Sequence, residues 1–241
     1  MSWRNVYLSS KKNWRRVIDV SGSAVKILSD AISNALRTEY QKPVVGIYHP
    51  SLLPSCLKRQ YLIYKRGLAI QEEKAGVFQI GRMFHDFIEK TLSNSFTVKS
   101  VEAPFFITLL RGDQLFRIAG RADLVVEIED KDYIIEAKSI RKLPEQPLKH
   151  HVEQLIIYLG GYCVENGFLI YLEKNALQHR IFPVEFDLNV FKRMIGRAAM
   201  LHEHLLSDKE PEPDPEKWEC RYCEFKSECI GENDGKMGEG V

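Results

Sequence analysis

GRADLVVEIEDKDYIIEAKS, residues 120–139, contains two runs rich in Val and Ile with charged residues between them. Segments 115 to 128 and 133 to 139 have the two-residue period of strands, and EDKD is a turn-forming cluster that closes them into a hairpin. If residue 128 faces 133, Asp123 lies opposite Lys138 and diagonal to Glu136, with all three side chains on one sheet face. Two carboxylates so placed suit a hard divalent cation bound through oxygen. An ammonium beside them can orient a nucleophile or offset charge developing at a phosphodiester. The plainer alternative is an exposed hairpin with a cross-strand ion pair.

Working outward, a strand at 98 to 110 precedes the hairpin across the turn cluster RGDQ, giving an antiparallel meander. The helix expected at 76 to 93, GVFQIGRMFHDFIEKTL, carries His85, whose imidazole would add a nitrogen ligand favouring manganese or another transition metal. A lone helical histidine is also commonly structural. After the meander, a helix at 148 to 164 contains HHVEQLIIYL, where Gln154 and Tyr158 share a face at i and i+4 and can hydrogen-bond a phosphate or a base. Their other reading is an amphipathic helix with a half-buried tyrosine. Strands near 167 to 173 and 178 to 186 and a helix at 187 to 207 follow. Upstream, residues 23 to 40 have helical spacing. PSCLKRQYLIYKRG reads as a second helix with an apolar stripe of Leu57, Tyr61, Tyr64 and Leu68, flanked by Lys58, Arg59, Lys65 and Arg66.

The 241 residues, 44% of them hydrophobic, support one principal domain. No apolar run approaches the roughly 18 residues of a membrane span, and the N-terminus lacks the apolar centre of a signal peptide. A cytoplasmic protein with no membrane partner is expected. Residues 1 to 70 carry 12 Lys and Arg against 3 Asp and Glu, whereas the remainder carries 22 against 30. A basic front is compatible with a polyanion partner or with a solvated helix and tail.

Five cysteines in a cytoplasmic chain point to metal ligation or redox chemistry rather than disulfides. Three lie in ECRYCEFKSEC, residues 219–229, beyond the Pro-rich acidic stretch EPEPDPEK. Cys220-x2-Cys223-x5-Cys229 fits zinc or an iron-sulfur cluster, because thiolates serve both. For the fourth ligand, Cys163 is expected in the core beside Ile156 and Leu159. Cys56 opens the basic helix in a region expected to be accessible, and is taken as the ligand. Joining residue 56 to residues 220 to 229 would close a long loop.

His85, Asp123 in GRAD, Glu136 and Lys138 in EAK, and Gln154 with Tyr158 in QLIIY, taken with the cysteines, resemble the RecB-like branch of the PD-(D/E)XK nucleases. Within it the chain is similar, from about residue 50 to 230, to the CRISPR-associated exonuclease family called Cas-four. The resemblance implies an α/β, restriction-endonuclease-like core of a mixed sheet flanked by helices. It implies Mg2+ or Mn2+ held by His85, Asp123, Glu136 and the carbonyl of Ala137, a catalytic Lys138, and assistance from Gln154 and Tyr158. It also implies a 4Fe-4S cluster on Cys56, Cys220, Cys223 and Cys229, clasping the N- and C-terminal parts together. The expected organisation is a helical extension at 1–45, a helical region with the first cluster ligand at 46–97, a nuclease core at 98–207 and an iron-sulfur segment and tail at 208–241.

The expected activity is a metal-dependent deoxyribonuclease working on DNA ends, on single strands from 5' to 3', with CRISPR integration proteins as partners. Lys58, Arg59, Lys65 and Arg66 would grip phosphates in a basic arch over the metal. The alternatives are a recombination, repair or viral nuclease of the same branch, or an adaptor that binds DNA ends without cutting them. The intact set of active-site residues counts against the adaptor.

Overall fold

The β-branched runs around GRAD and EAK form the centre of a six-stranded mixed sheet. A computed structural model describes residues 22–36, 42–68 and 72–229. In chain order the elements are α1 (Gly22–Leu36), β1 (Ile47–Tyr48), α2 (Leu57–Arg66), α3 (Glu72–Ser93), β2 (Thr97–Arg111), β3 (Gln114–Ile128) and β4 (Lys131–Ile140). There follow α4 (Lys149–Tyr162), β5 (Asn166–Glu173), β6 (His179–Glu185), α5 (Leu188–Ser207), a 3-10 turn (Glu219–Arg221) and α6 (Lys226–Cys229). The chain divides into two compact units after Arg37. The first contains α1, whose Val25, Ile27, Leu28 and Ile32 are exposed. Residues 37 to 40 of the helix expected there lie outside the described residues. Among the described residues no helix is long and apolar enough to cross a membrane.

In the second unit the sheet order is β1-β3-β4-β5-β6, with β2 also paired to β3. The hairpins β2/β3, β3/β4 and β5/β6 are antiparallel. β1 runs parallel to β3, and β5 runs parallel to β4 after the α4 crossover. The β3/β4 turn is tighter than the sequence led one to expect. Only Glu129 and Asp130 form it, with φ of 51° and 60°, the left-handed pair of a type I′ turn. Ile128 therefore pairs with Lys131 and Leu124 with Ile135. This register differs from the expected one by two residues, which keeps every side chain on its face. Extended one residue past the last pair, it would set Asp123 against Glu136 rather than Lys138.

Pairing between β3 and β4 stops at Leu124 and Ile135. Beyond that point β3 continues along β2 and β1, and β4 along β5, so the sheet forks. Two hydrophobic cores meet there. Tyr48, Leu62, Ile63, Ile118, Ala122, Ile134, Leu155 and Leu201 belong to one, under α2, α4 and α5. Phe84, Ile88, Leu124, Val126, Ile135 and Ala137 belong to the other, under α3. β3 passes from the first core to the second between Ala122 and Leu124, which places Asp123 at their junction. Gly120 of GRAD approaches Pro50 and Tyr158 so closely that a β-carbon would stand 2.9 Å from Pro50 Cδ.

α2 is part of the core: Tyr61 is 6% exposed and Tyr64 1%. Asp187 caps α5, accepting from the N–H groups of Asn189 and Val190 at 2.7 and 3.1 Å. Cys163 was expected inside the core. It is exposed and ends α4 in the left-handed conformation, φ 56°, with its N–H bonded to Leu159 O. At this turn the chain leaves the helix, and the Cys163 side chain stands outside the buried face that holds Ile156 and Leu159.

Candidate active site and cysteine cavity

The fork leaves the Ala137 N–H without a β3 partner, and the Asp123 carboxylate takes its place, Oδ2 accepting at 2.8 Å. This fixes the aspartate, and its Oδ1 lies 3.3 Å from Nδ1 of His85 on α3. That hydrogen bond raises the His85 pKa, with burial opposing it. His85, Asp123 and Ala137 line one groove of about 360 Å³, together with Asp86, Glu89 and Glu102. Sequence reading passed over Glu89 and Glu102. The signal for Glu89 was its position four residues after His85, hence on the same face of α3. No local signal marked Glu102, which has φ 43° and accepts from Arg121 at 3.0 Å.

Glu136 does not line that groove. Its side chain is 3% exposed, and Oε1 accepts from Lys138 Nζ at 2.6 Å and from Gln154 Nε2 at 2.7 Å. Lys138 also donates to Gln154 Oε1 at 3.1 Å, and Gln154 Nε2 lies 3.3 Å from the Tyr158 hydroxyl. The expected i, i+4 pair on α4 thus meets the expected Glu-x-Lys pair on β4 in one network. Burial raises the Glu136 pKa to about 7, with Lys138 opposing the shift. Burial likewise raises that of Tyr158, which packs edge-on against Phe105 with ring centroids 5.3 Å apart. The second oxygen of Glu136, Oε2, is buried without a hydrogen-bond partner. A buried acceptor left unpaired is costly unless something binds it. Oxygen donors beside an imidazole form a donor set that fits Mg2+ or Mn2+. Among the described residues, no three His, Cys, Asp or Glu side chains converge on one point as a finished metal centre would.

Cys56, Cys220, Cys223 and Cys229 line one cavity of about 140 Å³. Cys56, expected to be accessible, is instead buried at the N-cap of α2. Burial raises the thiol pKa of Cys223 and of Cys229, and neighbouring cysteines add to the shift. Soft thiol donors gathered on one small cavity are the ligand chemistry of zinc or an iron-sulfur cluster. Cys163 is not among them.

Carboxylates draw the two ends of this unit together. Glu219 Oε1 accepts from the Cys56 N–H at 3.0 Å and Asp214 Oδ1 from the Leu57 N–H at 2.5 Å, so residues of the late segment occupy the uncapped start of α2. Arg197 binds Asp214 at 2.5 Å and also donates to Leu53 O at 3.0 Å and Ser55 O at 2.6 Å. The basic residues of α2 are engaged in the same way. Lys58 pairs with Glu210 at 2.5 Å, Arg59 with Glu224 at 3.1 Å, Lys65 with Asp208 at 2.6 Å, and Arg66 with Glu228. The open basic arch expected from the sequence is therefore neutralised along α2 by the acidic late segment, and EPEPDPEK is a strap rather than a linker. The uneven charge of the sequence is met to this extent within the chain.

Residues 87–230 match the family model of the PD-(D/E)XK nuclease superfamily. The chain is 28% identical over 184 residues to a CRISPR-associated exonuclease Cas4 of Saccharolobus solfataricus, covering 76% of this chain and 86% of that protein. Among solved structures it resembles SSO0001 with a TM-score of 0.62 and 23% identity, over 86% of this chain and 96% of the other. An alkaline exonuclease of Laribacter hongkongensis superposes with a TM-score of 0.49 and 12% identity, over 69% and 91% of the two chains.

Proposed function

We propose that this chain, which belongs to the PD-(D/E)XK nuclease superfamily, is a metal-dependent DNA exonuclease with a 4Fe-4S cluster, trimming single-stranded ends from 5' to 3' in CRISPR spacer acquisition. The observation that supports the reading is the fork, which holds Asp123 beside His85 and the Ala137 N–H in one groove and joins Glu136, Lys138, Gln154 and Tyr158 in an adjoining buried network. The similarity to a Cas4 exonuclease supports the CRISPR setting.

His85, Asp123, Glu136 and the Ala137 carbonyl are the residues that would hold Mg2+ or Mn2+. When bound, the metal supplies Lewis-acid polarisation of the phosphate and a lowered pKa for a water. The protein's own part is positional. The Ala137 N–H holds Asp123 in place. Gln154, backed by Tyr158, holds both Glu136 and Lys138, and the Lys138 ammonium orients the attacking water and offsets charge on the phosphate oxygens. Cys56, Cys220, Cys223 and Cys229 would hold the cluster, whose contribution is to fasten the late segment to α2.

The test is cleavage of end-labelled single- and double-stranded DNA with Mg2+ or Mn2+. A 5'-labelled single strand should release its label in mono- or short oligonucleotides from the first time point. Intact strands with either metal would refute a nuclease, and a binding-only protein would then be the better reading. Release from 3'-labelled strands first would reverse the polarity.

A further inference from the structure

A second cavity, of about 190 Å³, opens between the loop before α2, the first turn of α4 and the 3-10 turn that contains Cys220. This is the space of about six waters. Arg59, His150, Trp218 and Tyr222 are among its walls. Its aromatic side chains are not core residues: Trp218 is 46% exposed and Tyr222 71%, whereas Tyr48 and Tyr64 are fully buried. The Trp218 indole lies against the His150 imidazole, with centroids 4.9 Å apart and planes at 37°. His150 in turn lies 4.1 Å from the His151 ring.

His150 lies one turn before Gln154 on α4, the helix that brings Gln154 to Glu136 and Lys138. Burial lowers the pKa of both imidazoles, and the charge of Lys138 lowers it further. His151 is fixed from behind by the Tyr171 hydroxyl, 2.9 Å from its Nδ1. Glu219 also borders the cavity, but its two oxygens are occupied by the N–H groups of Cys56 and Glu216. The walls therefore offer π-faces and N–H donors beside a phosphate-handling centre, which is the chemistry that receives a nucleobase. In a duplex each base already has its faces covered by its neighbours, so only an unpaired nucleotide can present one.

We propose that this cavity binds the base of an unpaired nucleotide, stacked on Trp218 and bounded by His150 and Tyr222, in the DNA strand whose phosphate lies at Asp123, Glu136 and Lys138. The proposal rests on the nuclease reading above and gives that reading a structural source for single-strand preference.

The experiment is a scan of single abasic positions along a labelled single-stranded oligonucleotide. Binding to the full chain is followed by fluorescence anisotropy in EDTA, so that no cleavage occurs. One position should bind between about 5- and 150-fold more weakly when its base is removed, the range of one lost base–aromatic stack. Trp218→Ala should show the same loss on the intact strand and no further loss with that abasic position. Trp218→Phe should restore most of the affinity, and His150→Ala should lose part of it. Binding of blunt duplex should be unchanged.

Equal losses at every position, or an unaltered Trp218→Ala, would overturn the proposal. Because Trp218 lies near the cysteines, early melting of Trp218→Ala would pass the decision to His150→Ala and to the abasic scan on the unmodified protein. Cleavage in Mn2+ is read separately. Protein that cuts without a privileged base position disproves the cavity alone, and protein that never cuts disproves the nuclease reading whatever the scan returns.

Discussion

The fork and the cysteine cavity are assembled by opposite means. Most of the fork comes from residues 123 to 158, carried on one hairpin and the helix that follows it, with His85 reaching in from α3. The cysteine cavity joins residue 56 to residues 220–229, held by carboxylates of the strap on α2. The first site is built into the sheet and the helices packed on it. The second depends on ion pairs and helix capping between distant parts of the chain. Damage at the fork should remove chemistry and spare the fold, and damage at the strap should do the reverse.

The largest expected effect sharpens the first half of that contrast. Asp123→Ala and Glu136→Ala should each lower cleavage by about a thousandfold or more while the circular dichroism spectrum and iron content stay unchanged. Lys138→Ala should keep metal affinity, measured by titration, and slow the single-turnover rate by about a hundredfold. Full activity in Glu136→Ala would break the assignment of the fork. At the strap, protein purified without oxygen should contain about four irons per chain. Cys56→Ala should lose them and Cys163→Ala should keep them. Stoichiometric zinc in colourless protein would replace the cluster but leave the clasp.

Smaller effects test how the two regions are held. Arg197→Ala removes the charged donor shared by Asp214 and the Leu53 and Ser55 carbonyls and should reduce unfolding free energy by about 1–3 kcal/mol in denaturant titration, with the chemical step unchanged. Joint replacement of Lys58, Arg59, Lys65 and Arg66 by Gln separates strut from phosphate grip. Lost DNA contacts would flatten the salt dependence of single-strand binding by roughly 0.7 per contact. An unchanged slope with a lowered melting temperature would make all four struts.

The last effect concerns a carboxylate. Folding raises the Glu136 pKa from 4.5 to about 7, so between those pH values the native state holds a proton that the unfolded chain releases, and stability falls as pH rises through the window. Glu136→Gln removes this cost. In EDTA its melting temperature should exceed that of the parent protein by a few degrees at pH 8, and the gap should close near pH 4.

The same contrast governs what could be read from sequence. Strand period put Glu136 and Lys138 on one face of β4, where they meet at 2.6 Å, but β3 and β4 part before Asp123, which lines the groove beside α3 instead, so the register argument held only where the two strands pair. Helical spacing likewise put Gln154 beside Tyr158. β1 escaped notice because two residues show no period; only their pairing with Arg117 and Ile118 makes them a strand. The role of the strap was equally hidden. A run such as EPEPDPEK has the composition of a linker, and nothing local reveals that Asp214 and the nearby Glu219 meet N–H groups of residues 57 and 56. Charge asymmetry was visible as a total, but whether DNA or the chain's own carboxylates would meet it is a three-dimensional question.

The helix cap supplied by Glu219 also sets a schedule. Its bond to the Cys56 N–H spans 163 residues, and at roughly 5–20 residues per second of synthesis the ribosome needs about ten to thirty seconds to cover that distance. During this interval the nascent α2 has no partner for the first N–H groups of its helix, and Cys56 waits without the residues that bury it. Any machinery that delivers iron and sulfide would meet a single thiol early and four only after residue 229 has left the exit tunnel. A centre held by all four of these thiols could therefore form only late, after the sheet that bears the fork has been synthesised.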